Sequence, residues 1–369
     1  MHWDIFCRVI DNFGDIGVCW RLSADLAARG HCVRLWADQT EALEWMAPGA
    51  LQGHWPGIRV LPWDASADPA LLHGLTPSQV WIEGFGCALP EAFVAHFAPL
   101  QAARPPAWIN LEYLSAEPYV ARSHGLPSPV MSGPAKGWLK YFYYPGFTPS
   151  TGGLLREPHI ANREADLTAE ETTQFLASLG IDWAGELLLT LFCYADAPVA
   201  SLLSGLAGAA DGGQGVMVLA THGIAQRLLA ALPPPPPGIR IAALPALPQS
   251  AFDTVLRCAD INFVRGEDSL VRAIWAQKPY IWNIYPQDDG AHAVKLQAFL
   301  QTMQLGSAPD TLHWAWNGWP NAATGEDQWA ALRAPERGKW RSRLRDSAQR
   351  LHANQDLTSG LIDFVNKKS

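Results

Sequence analysis

Short apolar runs alternate with helical patterns along the first part of the chain. The run WDIFCRVI near the start predicts a buried strand, and CVRLWA, from Cys32, predicts the next one. Between them, Val18, Leu22 and Leu26 repeat at helical spacing, which predicts a helix that begins near Val18. A strand, a loop, a helix and a second strand in this order are typical of a Rossmann-like sheet.

The alternation continues in two series. IRVLPW, VWIEGF and AWINLEY extend the first, and the last two are apolar enough for central strands of a parallel sheet. Residues 115–157 are rich in Pro, Gly, Ser and aromatic residues without a regular period, so we expect a long irregular segment there. The second series comprises ELLLTLFCYA, GVMVLA, IRIAAL, INFV and PYIWNIY. The pattern therefore predicts an α/β protein with two doubly wound halves.

The composition of the chain argues against several classes of protein. With 369 residues, 49% of them hydrophobic and only 17% charged, the chain can bury the cores of two domains. The net charge of −8 and the lack of a Lys/Arg run argue against a nucleic-acid partner. Six scattered cysteines predict free thiols in a reducing compartment. Asp4 and Arg8 interrupt the first apolar run, unlike a signal peptide, so we expect a cytoplasmic protein without a membrane partner.

The loop after the first predicted strand, DNFGDIGVCWRL, has two glycines ahead of a helix but lacks the usual dinucleotide-binding fingerprint. Its glycines lack the G-x-G-x-x-G spacing, and Asp11 and Asp15 would repel a phosphate. A dehydrogenase is therefore disfavoured. Metal chemistry is disfavoured too, because the histidines are widely spaced and no H-E-x-x-H or cysteine cluster occurs.

A candidate anion site lies in the second half, in INFVRGEDSLVRAIW. The pattern predicts a turn at Gly266 and a helix capped by Asp268 or Ser269. A helix N-terminus with Arg265 beside it is suited to a diphosphate, and Glu267 could accept hydrogen bonds from sugar hydroxyls. An ordinary capped helix with solvated charges fits the spacing equally well, so the spacing leaves both alternatives open.

Five blocks in the same order, DNFGDIGVCWRL, NLEYLSAE, YPGFTPSTGGLLRE, RGEDSLVRA and WNIYPQDDGAH, resemble the EarP family. These bacterial enzymes transfer rhamnose from dTDP-β-L-rhamnose to one arginine of translation elongation factor P. The resemblance implies a GT-B glycosyltransferase fold, with two Rossmann-like domains facing across a cleft, and an inverting reaction without a metal or cofactor. It also implies an acceptor-binding domain of residues 1–181 plus 350–369 and a nucleotide-sugar domain of residues 182–349.

The resemblance gives the acidic loop a function. Arginine is a poor nucleophile because its guanidinium is delocalised and stays protonated, so a carboxylate must orient it and accept a proton. Asp15 corresponds to the proposed general base and Asp11 to a second acid that holds the guanidinium. Without the resemblance, Asp15 would be taken as a helix N-cap and Asp11 as a turn former. The remaining residues of this acceptor loop are Asn12, Phe13, Gly14 and Gly17.

The resemblance also implies a set of donor-binding residues. These are Phe252 and Gln249 for the thymine base, Arg265, Asp268 and Ser269 for the diphosphate, and Phe192, Tyr194 and Glu267 around them. Asp268 would act mainly through its backbone N–H, because its carboxylate would repel the phosphates. Glu267 would contact the deoxyribose or position the loop. Phe192 lies at the end of a predicted apolar strand, so a purely structural role in the core is the alternative for it.

Two other functions fit the sequence less well. One is a different GT-B sugar-nucleotide transferase that acts on a lipid or a glycan. No basic or apolar patch for a membrane-bound acceptor stands out in the sequence. The other is a non-catalytic sugar-nucleotide-binding partner of elongation factor P, against which the presence of both Asp11 and Asp15 argues.

Overall fold

A computed structural model describes residues 1–11, 13–161, 166–209, 214–287, 290–319 and 328–368. The chain divides into two compact units, which we call unit 1 (Met1–Ala161 and Leu351–Ser369) and unit 2 (Asn162–Arg350). The division falls at residue 161 and not at residue 181, because Leu176 and Ile181 are buried in the core of unit 2. Each unit contains its own α/β sheet.

Unit 1 is built on a seven-stranded sheet. Its strands are β1 (His2–Cys7), β2 (Cys32–Ala37), β3 (Ile58–Pro62), β4 (Val80–Gly84), β5 (Ala107–Leu111), β6 (Pro127–Pro129) and β7 (Leu139–Tyr143). Their order across the sheet is β3-β2-β1-β4-β5-β7-β6. Only β6 pairs antiparallel, at the edge beside β7. The helices of this part are α1 (Gly14–Ala28), α2 (Leu43–Met46), α3 (Pro69–His73), α4 (Glu91–Leu100), α5 (Pro118–Ser123) and α6 (Pro158–Ala161).

Unit 2 has a five-stranded parallel sheet. Its strands are β8 (Leu187–Leu191), β9 (Val216–Ala220), β10 (Ile239–Ala243), β11 (Ile261–Arg265) and β12 (Tyr280–Asn283), in the order β10-β9-β8-β11-β12. Its helices are α7 (Ala169–Ser178), α8 (Val199–Ala209), α9 (Ile224–Ala230), α10 (Gln249–Cys258), α11 (Gly266–Ala276), α12 (Ala291–Met303), α13 (Ser307–Trp316) and α14 (Ala334–His352). Helix α15 (Leu357–Lys368) then returns to unit 1. Within the described ranges, the helices are too short or too polar to cross a bilayer.

The irregular segment expected at residues 115–157 contains three regular elements, so that prediction was wrong in part. Strand β7 lies inside the sheet of unit 1, between β5 and β6. Its sequence, LKYFY, is mostly half-buried, with only Tyr143 buried. A strand that keeps much of its surface exposed lacks the continuous apolar run by which the other parallel strands are recognised.

The unit 1 sheet buries apolar side chains on both faces. Ile5, Leu35 and Ile82 belong to one core cluster, together with Leu361 of α15. The opposite face carries an aromatic cluster that includes Phe6, Trp36, Trp81, Phe93 and Trp108.

Asp4 is buried on β1 with its charge compensated. The Arg34 guanidinium donates from Nε to Asp4 Oδ1 at 2.7 Å, and the Trp36 indole and the Ser78 hydroxyl also donate to this carboxylate. A charged residue inside an apolar run is thus part of a satisfied buried network, as burial of charge requires.

The segment YPGFTPSTGG holds helix α15 against unit 1 through close backbone contacts. The Asn354 side-chain amide, just ahead of α15, donates to the Phe147 carbonyl at 3.2 Å. Gly152 and Gly360 of α15 both lie so close to Tyr143 that a Cβ atom on either would overlap its side chain. Arg29 of α1 forms an ion pair with Asp356 at 2.9 Å, just ahead of α15. This motif therefore has a structural role in joining the end of the chain to its first domain.

Candidate active site

The acidic loop connects β1 to α1, and the helix begins earlier than predicted. It starts at Gly14 instead of near Val18, with Phe13 at the N-cap position and no side-chain capping bond. Asp15 therefore lies inside the first turn and is not the N-cap residue. A negative charge at this place still favours the helix, because the N-terminal end of a helix dipole is positive.

The carboxylate of Asp15 braces the loop that precedes it. Its Oδ2 atom accepts the backbone N–H of Ile10 at 2.7 Å and that of Asp11 at 3.0 Å. Only 2% of Asp15 is exposed, whereas Asp11 is partly exposed. The two acids are thus fixed in one turn by a direct contact. Asn12, which was assigned to the same loop, lies outside the described residues.

The glycines of this loop allow a close approach. The N–H of Gly14 donates to the Asp11 carbonyl at 2.6 Å, and a Cβ atom at Gly14 would lie 2.6 Å from Asp11 Oδ2. Gly17 is buried in the helix and donates to the Phe13 carbonyl at 3.0 Å. The Phe13 ring packs edge-on against Trp45, with 5.2 Å between centroids. These contacts hold Asp11 against the first helical turn.

A glutamate lies at the same edge of the unit 1 sheet, in the NLEY motif to which the sequence assigned no function. Asn110 accepts the N–H of Gly86 at 3.1 Å and donates to Glu112 at 2.7 Å. Burial raises the pKa of Glu112, and the hydrogen bond from Asn110 opposes that rise. Beside it, Phe85 adopts a left-handed φ of 57° and stacks on Tyr113 at 4.6 Å. Strained backbone of this kind is common at functional sites.

Arg265 is the centre of the predicted donor-site residues in unit 2. Its guanidinium lies 4.5 Å from the Phe192 ring centroid and 4.8 Å from that of Tyr194. Its Nη1 atom donates to the Cys193 carbonyl at 3.2 Å, and only 6% of the residue is exposed. Because β8 and β11 are neighbours in the sheet, residues that follow β8 meet the last residue of β11. The arginine is therefore oriented by the protein itself.

The start of α11 differs from the prediction. Arg265 occupies the N-cap position in an extended conformation, and the helix starts at Gly266, which has a φ of 65°. Asp268 and Ser269, the two predicted N-cap residues, lie in the first turn. The Ser269 hydroxyl accepts the Arg265 N–H at 3.1 Å and donates to the Arg265 carbonyl at 2.5 Å. The left-handed glycine makes the turn directly, so the helix begins two to three residues before the predicted caps.

The remaining predicted residues join the same network. The Phe252 ring packs edge-on against Phe192 with 5.6 Å between centroids, so Phe192 is linked to both Phe252 and Arg265. Gln249 Nε2 donates to Asp268 Oδ2 at 3.3 Å. All eight predicted donor-site residues thus belong to unit 2 and surround the ends of β8 and β11 and the starts of α10 and α11. They are Phe192, Tyr194, Gln249, Phe252, Arg265, Glu267, Asp268 and Ser269.

Two cations at this site were missed by the sequence analysis. Lys295 of α12 lies 2.8 Å from Glu267, and Arg272 lies 3.7 Å from Asp268 one turn along α11. The spacing of Asp268 and Arg272 is visible in the sequence as an i, i+4 pair. The partnership of Lys295 and Glu267 depends on how α12 packs, which no local pattern reveals.

Five of the six cysteines are buried, and the described residues contain no candidate metal site. All six cysteines are free thiols, as predicted. Burial raises the pKa of Cys87 and of Cys193 to about 12, so both stay protonated and unreactive at neutral pH. Among the described residues, no group of three or more His, Cys, Asp or Glu side chains is arranged to hold a metal ion.

The two sheets and their helices define the class of protein. A solved glycosyltransferase, VinC in complex with dTDP, superimposes on the chain with a TM-score of 0.52 at 13% identity, covering 100% of this chain and 99% of that one. At that identity the similarity concerns the fold alone. Two parallel-sheet α/β units in one chain are the GT-B arrangement, so the protein has the GT-B fold of glycosyltransferases.

The chain belongs to the EarP family. The family model described as "Elongation-Factor P (EF-P) rhamnosyltransferase EarP" matches residues 3–366. A protein-arginine rhamnosyltransferase of Pseudomonas putida is 39% identical over 98% of both chains. A solved structure described as the structural basis for EarP-mediated arginine glycosylation of translation elongation factor EF-P matches with a TM-score of 0.61 and 29% identity over 99% of both chains. The fold and the family predicted from the sequence are confirmed.

Proposed function

We propose that this protein transfers rhamnose from dTDP-β-L-rhamnose to an arginine side chain of elongation factor P, with inversion at the anomeric carbon. The observation that carries the proposal is the acidic turn, in which the Asp15 carboxylate binds the backbone of Asp11. Membership of the EarP family supports the sugar and the acceptor. Because the acceptor is a translation factor, we place the reaction in the cytoplasm.

The acidic turn supplies what an arginine nucleophile needs. Asp11 would hold the planar guanidinium by charge-assisted hydrogen bonds. A guanidinium nitrogen would attack the anomeric carbon while the bond from that carbon to the diphosphate oxygen breaks. Asp15 would accept the proton that the nitrogen loses, and dTDP would leave with the bonding electrons. Attack opposite to the leaving group converts a β donor into an α-linked product.

Unit 2 would bind the donor without a metal ion or another cofactor. Charge builds up on the diphosphate as its bond to the sugar breaks, and preorganised donors stabilise such charge. The first N–H groups of α11 and the oriented guanidinium of Arg265 would fulfil this function. Phe252 and Gln249 would bind the thymine base by stacking and by amide hydrogen bonds.

The direct test is the intact mass of elongation factor P after incubation with this protein and dTDP-rhamnose. We expect a gain of one deoxyhexosyl group, located on an arginine by fragmentation, and an equal release of dTDP. Chelator should leave the rate unchanged. If the mass stays unchanged while dTDP-rhamnose binds, the protein is a non-catalytic partner, and if another acceptor gains the sugar, it is a different sugar-nucleotide transferase.

A further inference from the structure

The N-terminus of α11 poses an electrostatic problem for a donor diphosphate. Two acids, Glu267 and Asp268, lie in the first turn of this helix. Backbone N–H groups and the helix dipole favour an anion there, but two uncompensated carboxylates would oppose it. A diphosphate site at this place therefore needs the charge of both acids to be compensated.

The structure provides a basic partner for each acid. Glu267 forms an ion pair with Lys295 at 2.8 Å, in which the two side chains are only 16% and 20% exposed. Asp268 Oδ1 lies 3.7 Å from Nε of Arg272, whose side chain is 1% exposed. Limited contact with water strengthens both attractions relative to surface pairs. The Arg272 partner belongs to the same helix, whereas Lys295 is supplied by α12.

We propose that Lys295 is a positioning residue for the sugar-nucleotide donor. Its ammonium group neutralises and holds Glu267, so that the first turn of α11 accepts the diphosphate of a nucleoside-diphosphate sugar. This inference rests on the proposed function, since it assumes that the donor diphosphate binds at α11. Without Lys295, the Glu267 carboxylate loses the compensating charge of this ammonium group and repels the diphosphate more strongly. Substitution of Lys295 should therefore lower the affinity for dTDP only when Glu267 carries its charge.

That requirement gives a test with four proteins: the wild type, Lys295→Met, Glu267→Gln and the double variant. Calorimetry measures the Kd of dTDP and, separately, of thymidine, which carries no phosphate. We expect Lys295→Met to raise the Kd of dTDP at least tenfold and the Kd of thymidine less than twofold. In the Glu267→Gln background, the same lysine substitution should change the Kd of dTDP less than twofold. Raising the salt concentration should narrow the gap between the wild type and Lys295→Met.

A matched control is available in the same unit. Lys339 pairs with Glu336 at 2.6 Å, but these side chains are 66% and 35% exposed. Lys339→Met should leave the Kd of dTDP within twofold of the wild type, and Lys295→Arg should retain most of the affinity that Lys295→Met loses. Melting temperatures of all variants show whether unit 2 stays folded.

The outcomes separate this inference from the proposed function. Equal affinity of Lys295→Met and the wild type for dTDP overturns the role of Lys295 alone. An equal loss of dTDP affinity in the wild-type and Glu267→Gln backgrounds also overturns this role, because Lys295 would then act independently of Glu267. A wild-type protein that binds thymidine and dTDP equally weakly overturns the assignment of dTDP-rhamnose as the donor, and the role of Lys295 with it.

Discussion

Asp15 combines two functions at the scale of a single residue. Its carboxylate holds the backbone of Ile10 and Asp11, and in the proposed reaction it also accepts a proton. Both acids were predicted as site residues through the EarP resemblance, because their spacing alone fits a helix cap and a turn equally well. The bracing contact could not be predicted, because it requires the chain to turn back on itself ahead of α1, and such a turn has no periodic signal.

Replacing Asp15 by Asn separates the two functions. The amide oxygen of Asn can accept the same two N–H groups, so the loop and the melting temperature should be preserved. The proton acceptor is lost, and turnover should fall roughly 10²–10⁴-fold while dTDP-rhamnose binds as in the wild type. Single-turnover rates and calorimetry measure the two effects.

Asp11→Asn should instead weaken binding of elongation factor P as well as the rate, because an amide cannot pair with both edges of a guanidinium as a carboxylate does. Glu44→Gln, an exposed substitution in unit 1, is the control and should behave like the wild type. A fully active Asp15→Asn enzyme would show that Asp15 only braces the loop.

Arg265→Ala tests the proposed donor site through a single residue. Removing a guanidinium that is 6% exposed should cost about 1.5–3 kcal/mol of dTDP binding, because charge-assisted hydrogen bonds are strong where water is excluded. Calorimetry with dTDP measures this loss. Unchanged affinity in both Arg265→Ala and Phe252→Ala would place the nucleotide elsewhere.

Two residues of α13 should contribute to the pH dependence of the stability of unit 2. Burial lowers the pKa of His313 from 6.5 to about 4, and its Nδ1–H donates to the Pro309 carbonyl. The unfolded chain takes up a proton below pH 6.5 but the folded protein does not until about pH 4. The stabilising effect of the neutral His313 is therefore complete above pH 6.5 and lost as the pH falls to 4, on the order of 3 kcal/mol.

Asp310 should change the stability of unit 2 with pH in the direction opposite to that of His313. Burial raises the pKa of its carboxyl from 3.8 to about 6, so its stabilising effect is present below pH 3.8 and lost as the pH rises through 6. We expect His313→Phe to reduce the loss of stability between pH 6.5 and 4, and Asp310→Asn to steepen it. Denaturant titrations across this range measure both, and parallel pH profiles of the variants and the wild type would contradict the assignment.

At the scale of elements, the strands were more predictable than the helices. The predicted starts at Cys32, Ile58, Val80 and Ala107 coincide with the observed strands. Strands β4 and β5 lie inside the sheet and are short and mostly apolar, whereas β3 at the edge was still marked by its apolar residues. The starts of α1 and α11 were misplaced because both depend on the geometry of the preceding loop. Strand β7 was missed because it lacks a continuous apolar run.

The packing of α15 against unit 1 predicts that Gly360 cannot be replaced by a larger residue without loss of stability. Gly360→Ala should destabilise unit 1 by about 1–3 kcal/mol, because the added methyl group overlaps the Tyr143 hydroxyl. Gly338→Ala is the matched control, since nothing lies within 4 Å of a Cβ atom at that helical glycine. It should stabilise unit 2 by up to about 1 kcal/mol. If both variants melt alike, the contact between Gly360 and Tyr143 is not a constraint.

At the scale of the whole molecule, the sequence predicted two doubly wound halves, and the EarP resemblance predicted their class. The boundary between them was harder to predict, because α7 is amphipathic and could cover either sheet. Leu176 and Ile181 are buried in the second core, a long-range contact that local spacing does not reveal.

Binding of dTDP should protect unit 2 and not unit 1 from hydrogen exchange. We expect dTDP to slow hydrogen exchange within unit 2, around residues 192–194 and the first turns of α10 and α11, because binding opposes local opening. Thymidine should protect only the start of α10. Protection by dTDP confined to the β1–α1 loop would contradict the assignment of the donor to unit 2.

Unit 1 is assembled from two distant stretches of the chain, residues 1–161 and 351–369. A ribosome makes the first stretch before unit 2 and the second after it. Leu361 and Val365 are fully buried, so the part of the unit 1 core that α15 covers stays exposed until α15 emerges. Domains usually fold in the order of their synthesis, but here the domain begun first is completed last. A polypeptide stopped shortly before α15 would contain the complete unit 2 and a unit 1 with part of its apolar core exposed.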